Sequence, residues 1–237
     1  LNMVDFFYLN GTNGHIKSWA IYKNAILFDL FNSNSSNTIN YLPPIVNKGD
    51  PLFPYLGPYI KNQSGMRALT FFQYPIGEYD FSLMRHFLFD HAMYELFSML
   101  STSAYPALAQ LAVKVRGELK YHVLHADTWM KKLGNGTEES KARMQSALNY
   151  AYPLALGIFE PLEGEQELVQ YGYFEGMQVL QERWLASIKP VLETAGLKLP
   201  ENAEATYGGR KGYHTEHLAP LLKEMTEVFT IDPEAEW

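Results

Sequence analysis

The chain has 237 residues, 47% of them hydrophobic, and no cysteine. That is enough apolar material for one large core or two small ones, and the missing thiol removes disulfide frameworks, thiolate zinc sites, iron-sulfur clusters and a cysteine nucleophile together. Nineteen basic side chains against 26 acidic ones leave a net charge of -7, which offers no general attraction to nucleic acid or to an anionic membrane surface.

Composition changes near residue 65. Residues 1–64 hold ten of the thirteen asparagines but only seven charged side chains, whereas residues 65–237 hold 38 charges with a net of -8. Pro43, Pro44, Pro51, Pro54 and Pro58 break the first part, so within it only Ile16 to Phe31 is predicted to sustain a helix. It reads as an atypical, irregular, Asn- and Pro-rich N-terminal segment, 1–64, ahead of a helical domain, 65–237. The first ten residues lack the basic start and long apolar stretch of a secretory signal, so the expected location is the cytoplasm.

Asp80 to Ser101 is apolar enough to be covered on more than one side, as in a central bundle helix. Arg85, Asp90 and Glu95 interrupt it too often for a bilayer span, where each charge would cost roughly 2.5 to 3.5 kcal/mol at the centre. Pro106 suits the first position of a helix running to about Lys132, with Leu108, Leu111, Ala112, Val115, Leu119 and Ala126 on one stripe. Leu133-Gly-Asn-Gly-Thr stops that helix, and Thr137 is predicted to cap the next, with Glu138 and Glu139 favoured by its dipole. Pro153 is predicted to bend or end it. A further helix is expected from about Val169 to Ile188, and a last amphipathic one through Leu218, Leu221, Leu222, Met225 and Val228, beginning close to Pro220. With no comparable strand pattern after residue 80, the fold class is all-α, an antiparallel bundle of about five or six helices.

A carboxylate-bridged di-iron bundle takes a Glu from each of two helices and a Glu-x-x-His pair from each of two others. No Glu in this chain has a His three residues later. Glu118 and His122, spaced i and i+4, border the apolar stripe and are expected to point inward or graze the core. They fit either a metal site completed by Asp90 or Glu216, or a buried hydrogen-bonded polar cluster of Asp90, Glu118, His122 and Glu216, the commoner arrangement. His86 with Asp90, and His91 with Glu95, form i,i+4 pairs that can bond locally, while His125 and Asp127 receive no role. Gly208-Gly-Arg-Lys-Gly212 reads as a flexible basic turn beside the last helix, where Arg210, Lys211 and His214 are candidates for an intersubunit or anion contact. No catalytic, cofactor-binding or metal residue is assigned.

Four stretches carry a resemblance: Arg85-His-Phe-Leu-Phe-Asp90, Glu118-Leu-Lys-Tyr-His-Val-Leu-His125, Leu133-Gly-Asn-Gly-Thr-Glu-Glu-Ser140 and Gly208-Gly-Arg-Lys-Gly-Tyr-His-Thr-Glu-His-Leu218. In order, from about Arg67 to Trp237, they resemble the C-subunit family of ring-1,2-phenylacetyl-CoA epoxidase of phenylacetate catabolism. The resemblance implies a ferritin-like fold and a structural subunit that holds no cofactor. Its partner would be a homologous catalytic A subunit, which binds the di-iron centre and epoxidises an aromatic CoA thioester, so phenylacetyl-CoA is expected within the complex. The family pattern has a His three residues beyond the Asp at Asp90, where this chain has Met93, and residues 1–64 do not resemble the family's start. Two other classes remain open, an autonomous ferritin-like iron oxidoreductase using Asp90, Glu118, His122 and Glu216, and a scaffold that binds CoA thioesters.

Overall fold

The computed structural model describes residues 69–162 and 164–231. The segment 1–64, with its predicted helix from Ile16 to Phe31, lies outside the described residues. The chain divides into two compact units, one formed by Ile76–Tyr207, the other containing the described residues 69–75 and 208–231.

The larger unit is an all-helical bundle of the ferritin-like kind, with no strand among the described residues. Helix α1, Thr70–Gln73, belongs to the smaller unit. Helix α2, Tyr79–Leu100, packs against three others, α3 (Pro106–Gly134), α4 (Glu138–Leu156) and α6 (Met177–Thr194). That central place explains its composition: Leu83, Met84, Phe87, Leu88, Ala92 and Leu96 are all buried, a spread too wide for one face of a helix. The links from α2 to α3, residues 101–105, and from α3 to α4, residues 135–137, are too short for anything but antiparallel neighbours. No described helix is long and apolar enough to cross a membrane.

Helix α3 starts with Pro106 in its first turn, as the sequence predicts, and buries Leu108, Ala112, Val115, Leu119, Ala126 and Met130. It runs to Gly134, where a Cβ would lie 2.3 Å from the Ala195 carbonyl oxygen just beyond α6. Glycine is therefore a packing requirement here, since only a bare backbone lets the two helix ends meet. Asn135 fastens the junction by donating its Nδ2 to the Lys131 and Thr194 carbonyls at 3.0 and 2.9 Å. Thr137 caps α4, its side chain accepting the Ser140 N–H at 3.1 Å, with Glu138 and Glu139 in the first turn.

Pro153 does not end α4, which continues to Leu156 and then a 3-10 turn, Gly157–Phe159. The Pro153 carbonyl accepts the Thr206 N–H at 3.0 Å, and the Thr206 carbonyl comes so close to Gly157 that a Cβ there would sit 2.3 Å away. The expected helix from Val169 to Ile188 is two helices, α5 (Glu165–Gln170) and α6. Gly172 and Gly176, with φ of +68° and +105°, take the chain out of helical geometry between them. Glu165 bridges the break, one carboxylate oxygen accepting the Met177 N–H at 2.8 Å and the other the Leu162 N–H at 3.1 Å. Beyond Tyr207 come a 3-10 turn, Gly209–Lys211, and helix α7, Leu218–Ile231.

Candidate functional site

Buried and part-buried polar residues between α2, α3 and α6 form one continuous chain. His91 on α2 is directed through Nε2 at Asp127 Oδ1 on α3, 2.8 Å away, and through Nδ1 at Ser187 Oγ on α6, 3.1 Å away. Ser187 Oγ lies 2.8 Å from the Trp184 carbonyl, to which it donates. Trp184, fully buried, donates its indole N–H to the Leu88 carbonyl at 2.9 Å and stacks on Tyr152 of α4 with 11° between the planes. Burying a side chain of this size contributes roughly 1.5 to 3 kcal/mol, and the indole N–H needs its acceptor to be buried at all. All four long helices of the bundle are thus tied at one level.

The sequence pairing of His91 with Glu95 is not the one the fold makes, and Asp127, given no role from sequence, is the principal partner. Glu95 stands half-buried on the same helix. Burial raises its carboxyl above the usual range, against the lowering effect of the Arg183 and His91 charges. Arg85, buried one turn before Phe89, lies over the Phe81 ring at 5.4 Å, and loss of hydration brings its guanidinium down to about 10, so the side chain is still a cation at neutral pH.

Asp90 is 3% exposed and has an imidazole near each oxygen: His86 Nδ1 at 3.6 Å from Oδ2 and His122 Nδ1 at 3.9 Å from Oδ1. Both separations exceed hydrogen-bond length, so these are electrostatic neighbours. The expected cluster of Asp90, Glu118, His122 and Glu216 is therefore corrected. Asp90 and His122 do face each other, but Glu118 is exposed, because Leu119 takes the adjoining core position of α3 and turns Glu118 outward. Glu216 is also exposed and belongs to the smaller unit. Among the described residues no group of three or more His, Asp or Glu side chains is arranged to hold a metal ion.

In the smaller unit the basic turn is held by two left-handed glycines, Gly208 at φ +115° and Gly212 at +84°, with the Tyr213 N–H returning to the Gly208 carbonyl at 3.0 Å. Lys211 is exposed. The candidate anion residue His214 is engaged instead with Gln73, whose Nε2 lies 3.0 Å from His214 Nδ1. The Thr215 N–H donates to Gln73 Oε1 at 2.6 Å, which fixes the orientation of the amide, so Nε2 donates and His214 Nδ1 accepts. Residues 212–217 separate the turn from α7 along the chain.

The larger unit is an antiparallel helical bundle of the ferritin-like kind whose core holds the buried polar residues Arg85, Asp90 and His91 beside Trp184. The sequence profile described as phenylacetic acid catabolic protein matches residues 58–237, and the chain belongs to that family. Within it, the chain is similar to the C subunit of 1,2-phenylacetyl-CoA epoxidase of Escherichia coli strain K12, at 28% identity over 201 residues, covering 85% of this chain and 80% of the relative.

Proposed function

We propose that this chain is a structural subunit of a multicomponent, cytoplasmic monooxygenase that epoxidises the ring of phenylacetyl-CoA, supporting a homologous subunit that carries the di-iron centre. The observation that carries this reading is the family match over residues 58–237 together with the similarity to the epoxidase C subunit. Two features of the chain support the division of labour. No Glu has a His three residues later, and two of the four residues that an autonomous iron site would need, Glu118 and Glu216, face solvent. The polar side chains between the helices then serve the bundle rather than the chemistry: buried His91 joins the part-buried Asp127 and Ser187 across three helices, as a scaffold requires.

The test is co-expression with a homologous subunit bearing two Glu-x-x-His pairs. The expected result is a stable heteromer in which iron follows the partner, with this chain alone binding less than stoichiometric iron. About two irons per chain in the isolated subunit, with a di-iron optical signature, would overturn the reading.

A further inference from the structure

Helix α3 turns its buried stripe toward the bundle and leaves the opposite face to solvent. On that outer face Val113, Gly117, Tyr121 and Leu124 recur at i, i+4, i+8 and i+11, which places them on one ridge. Val113 is 51% exposed, Tyr121 72% and Leu124 62%. Scattered apolar side chains on a surface need no explanation, but three in register around a glycine do. A Cβ added at Gly117 would meet nothing within 4 Å, so nothing inside the described chain calls for glycine there. A glycine in a helix interior costs roughly 1 kcal/mol relative to alanine. What it provides is a low point in the ridge where a second helix can bring its backbone close.

Charge identifies what fits. The chain is acidic overall, yet the exposed charges of α3 are Lys114, Lys120, Lys131 and Lys132 against a single exposed acid, Glu118. Lys132 lies over the Trp129 ring, Lys114 and Lys120 flank the ridge, and Lys131 stands about two turns beyond its end. We infer that this face docks a helix of the partner subunit that presents an apolar stripe with acidic flanks and crosses α3 at Gly117. The inference rests on the reading of the chain as one subunit of a heteromer and names the surface that makes the contact.

The experiment uses the full chain, as wild type, Gly117→Leu and Tyr121→Glu, each mixed with the homologous subunit and followed by light scattering and titration over a salt series. Leucine is a good helix former, so Gly117→Leu should leave the melting temperature of the isolated chain unchanged or higher while filling the crossing point. Both variants are expected to weaken association by at least about tenfold, and wild-type association should weaken as salt rises. If wild type binds the partner and both variants bind equally well, the proposed surface is wrong and the subunit reading survives. If wild type does not bind the partner at all, both fall. If the isolated wild type is a dimer that the variants dissociate, the occupant is a second copy, which also overturns the proposal.

Discussion

His91 and Asp127 meet across the α2–α3 interface at 2.8 Å, although they are 36 residues apart in sequence and local spacing pairs His91 with Glu95 instead. With Ser187 on the other ring nitrogen, the imidazole has a polar partner from two of the three helices packed on α2. Removing Asp127 with Asp127→Ala leaves a buried ring nitrogen without its acceptor. The expected loss is about 1 to 3 kcal/mol, read as a lower denaturant midpoint at unchanged slope. Ser187→Ala, which removes a neutral partner, should cost less. Equal midpoints for Asp127→Ala and wild type would show that the contact contributes nothing net.

Gly134 offers a test whose sign is informative. In an open helix, glycine to alanine stabilises by up to about 1 kcal/mol. Here the new Cβ would stand 2.3 Å from the Ala195 carbonyl and 2.8 Å from its Cβ, so the two helix ends would have to part. Gly134→Ala is therefore expected to destabilise by roughly 1 to 3 kcal/mol. A rise in melting temperature would mean that the junction yields freely.

Much of this bundle is legible in the sequence, and the exceptions share a cause. The starts at Pro106 and Thr137 are readable because local chemistry sets them: a proline has no N–H to lose in the first turn, and a threonine hydroxyl accepts one. The expected stop at Lys132 falls two residues early because Gly134 reads as a breaker from sequence, whereas its role is to let Ala195 approach. Pro153 likewise sits inside a helix, and Thr206, 53 residues away, uses its carbonyl. The pairing of His91 with Glu95 fails for the same reason, whereas His86 and Asp90 do lie 3.6 Å apart. Spacings of i and i+4 find neighbours on one helix, such as Glu118 with His122, but His91 takes its partners from two other helices. The signal for Asp127 is its place beside buried Ala126 at the edge of the stripe.

The half-buried carboxyl of Glu95 gives the pH dependence a definite sign. Its folded-state pKa is raised, chiefly by lost hydration, so the folded protein holds this proton more tightly than the unfolded chain. Below the unfolded value the group is neutral in both states and costs nothing. As pH rises through the window between the unfolded and the raised folded value, ionisation takes stability away. Glu95→Gln should therefore be more stable than wild type at neutral pH, with the gap closing on acidification below the unfolded value. Urea midpoints for both proteins between pH 4 and 8, about the carboxylate range, would check it. A gap that widens toward low pH would show that the attraction of the nearby Arg183 charge outweighs desolvation.

The basic turn separates folding from assembly. Its backbone turns through Gly208 and Gly212 in left-handed conformation, and Lys211 is exposed. Replacing Arg210 and Lys211 together with glutamine should change the stability of the isolated chain by no more than about 0.5 kcal/mol, as for ordinary surface positions. If the two cations meet an acidic partner surface or an anionic CoA thioester, the same variant should weaken heteromer formation or raise the apparent KM of the assembled oxygenase, mostly through slower association. The difference from wild type should shrink as salt is added, because screening removes the attraction that the wild type alone possesses. Gly212→Ala provides the contrast, since a side chain at φ +84° strains the turn itself and should lower stability whatever the salt. Wild-type assembly and KM in the glutamine variant at every salt concentration would leave these cations with no part in the complex.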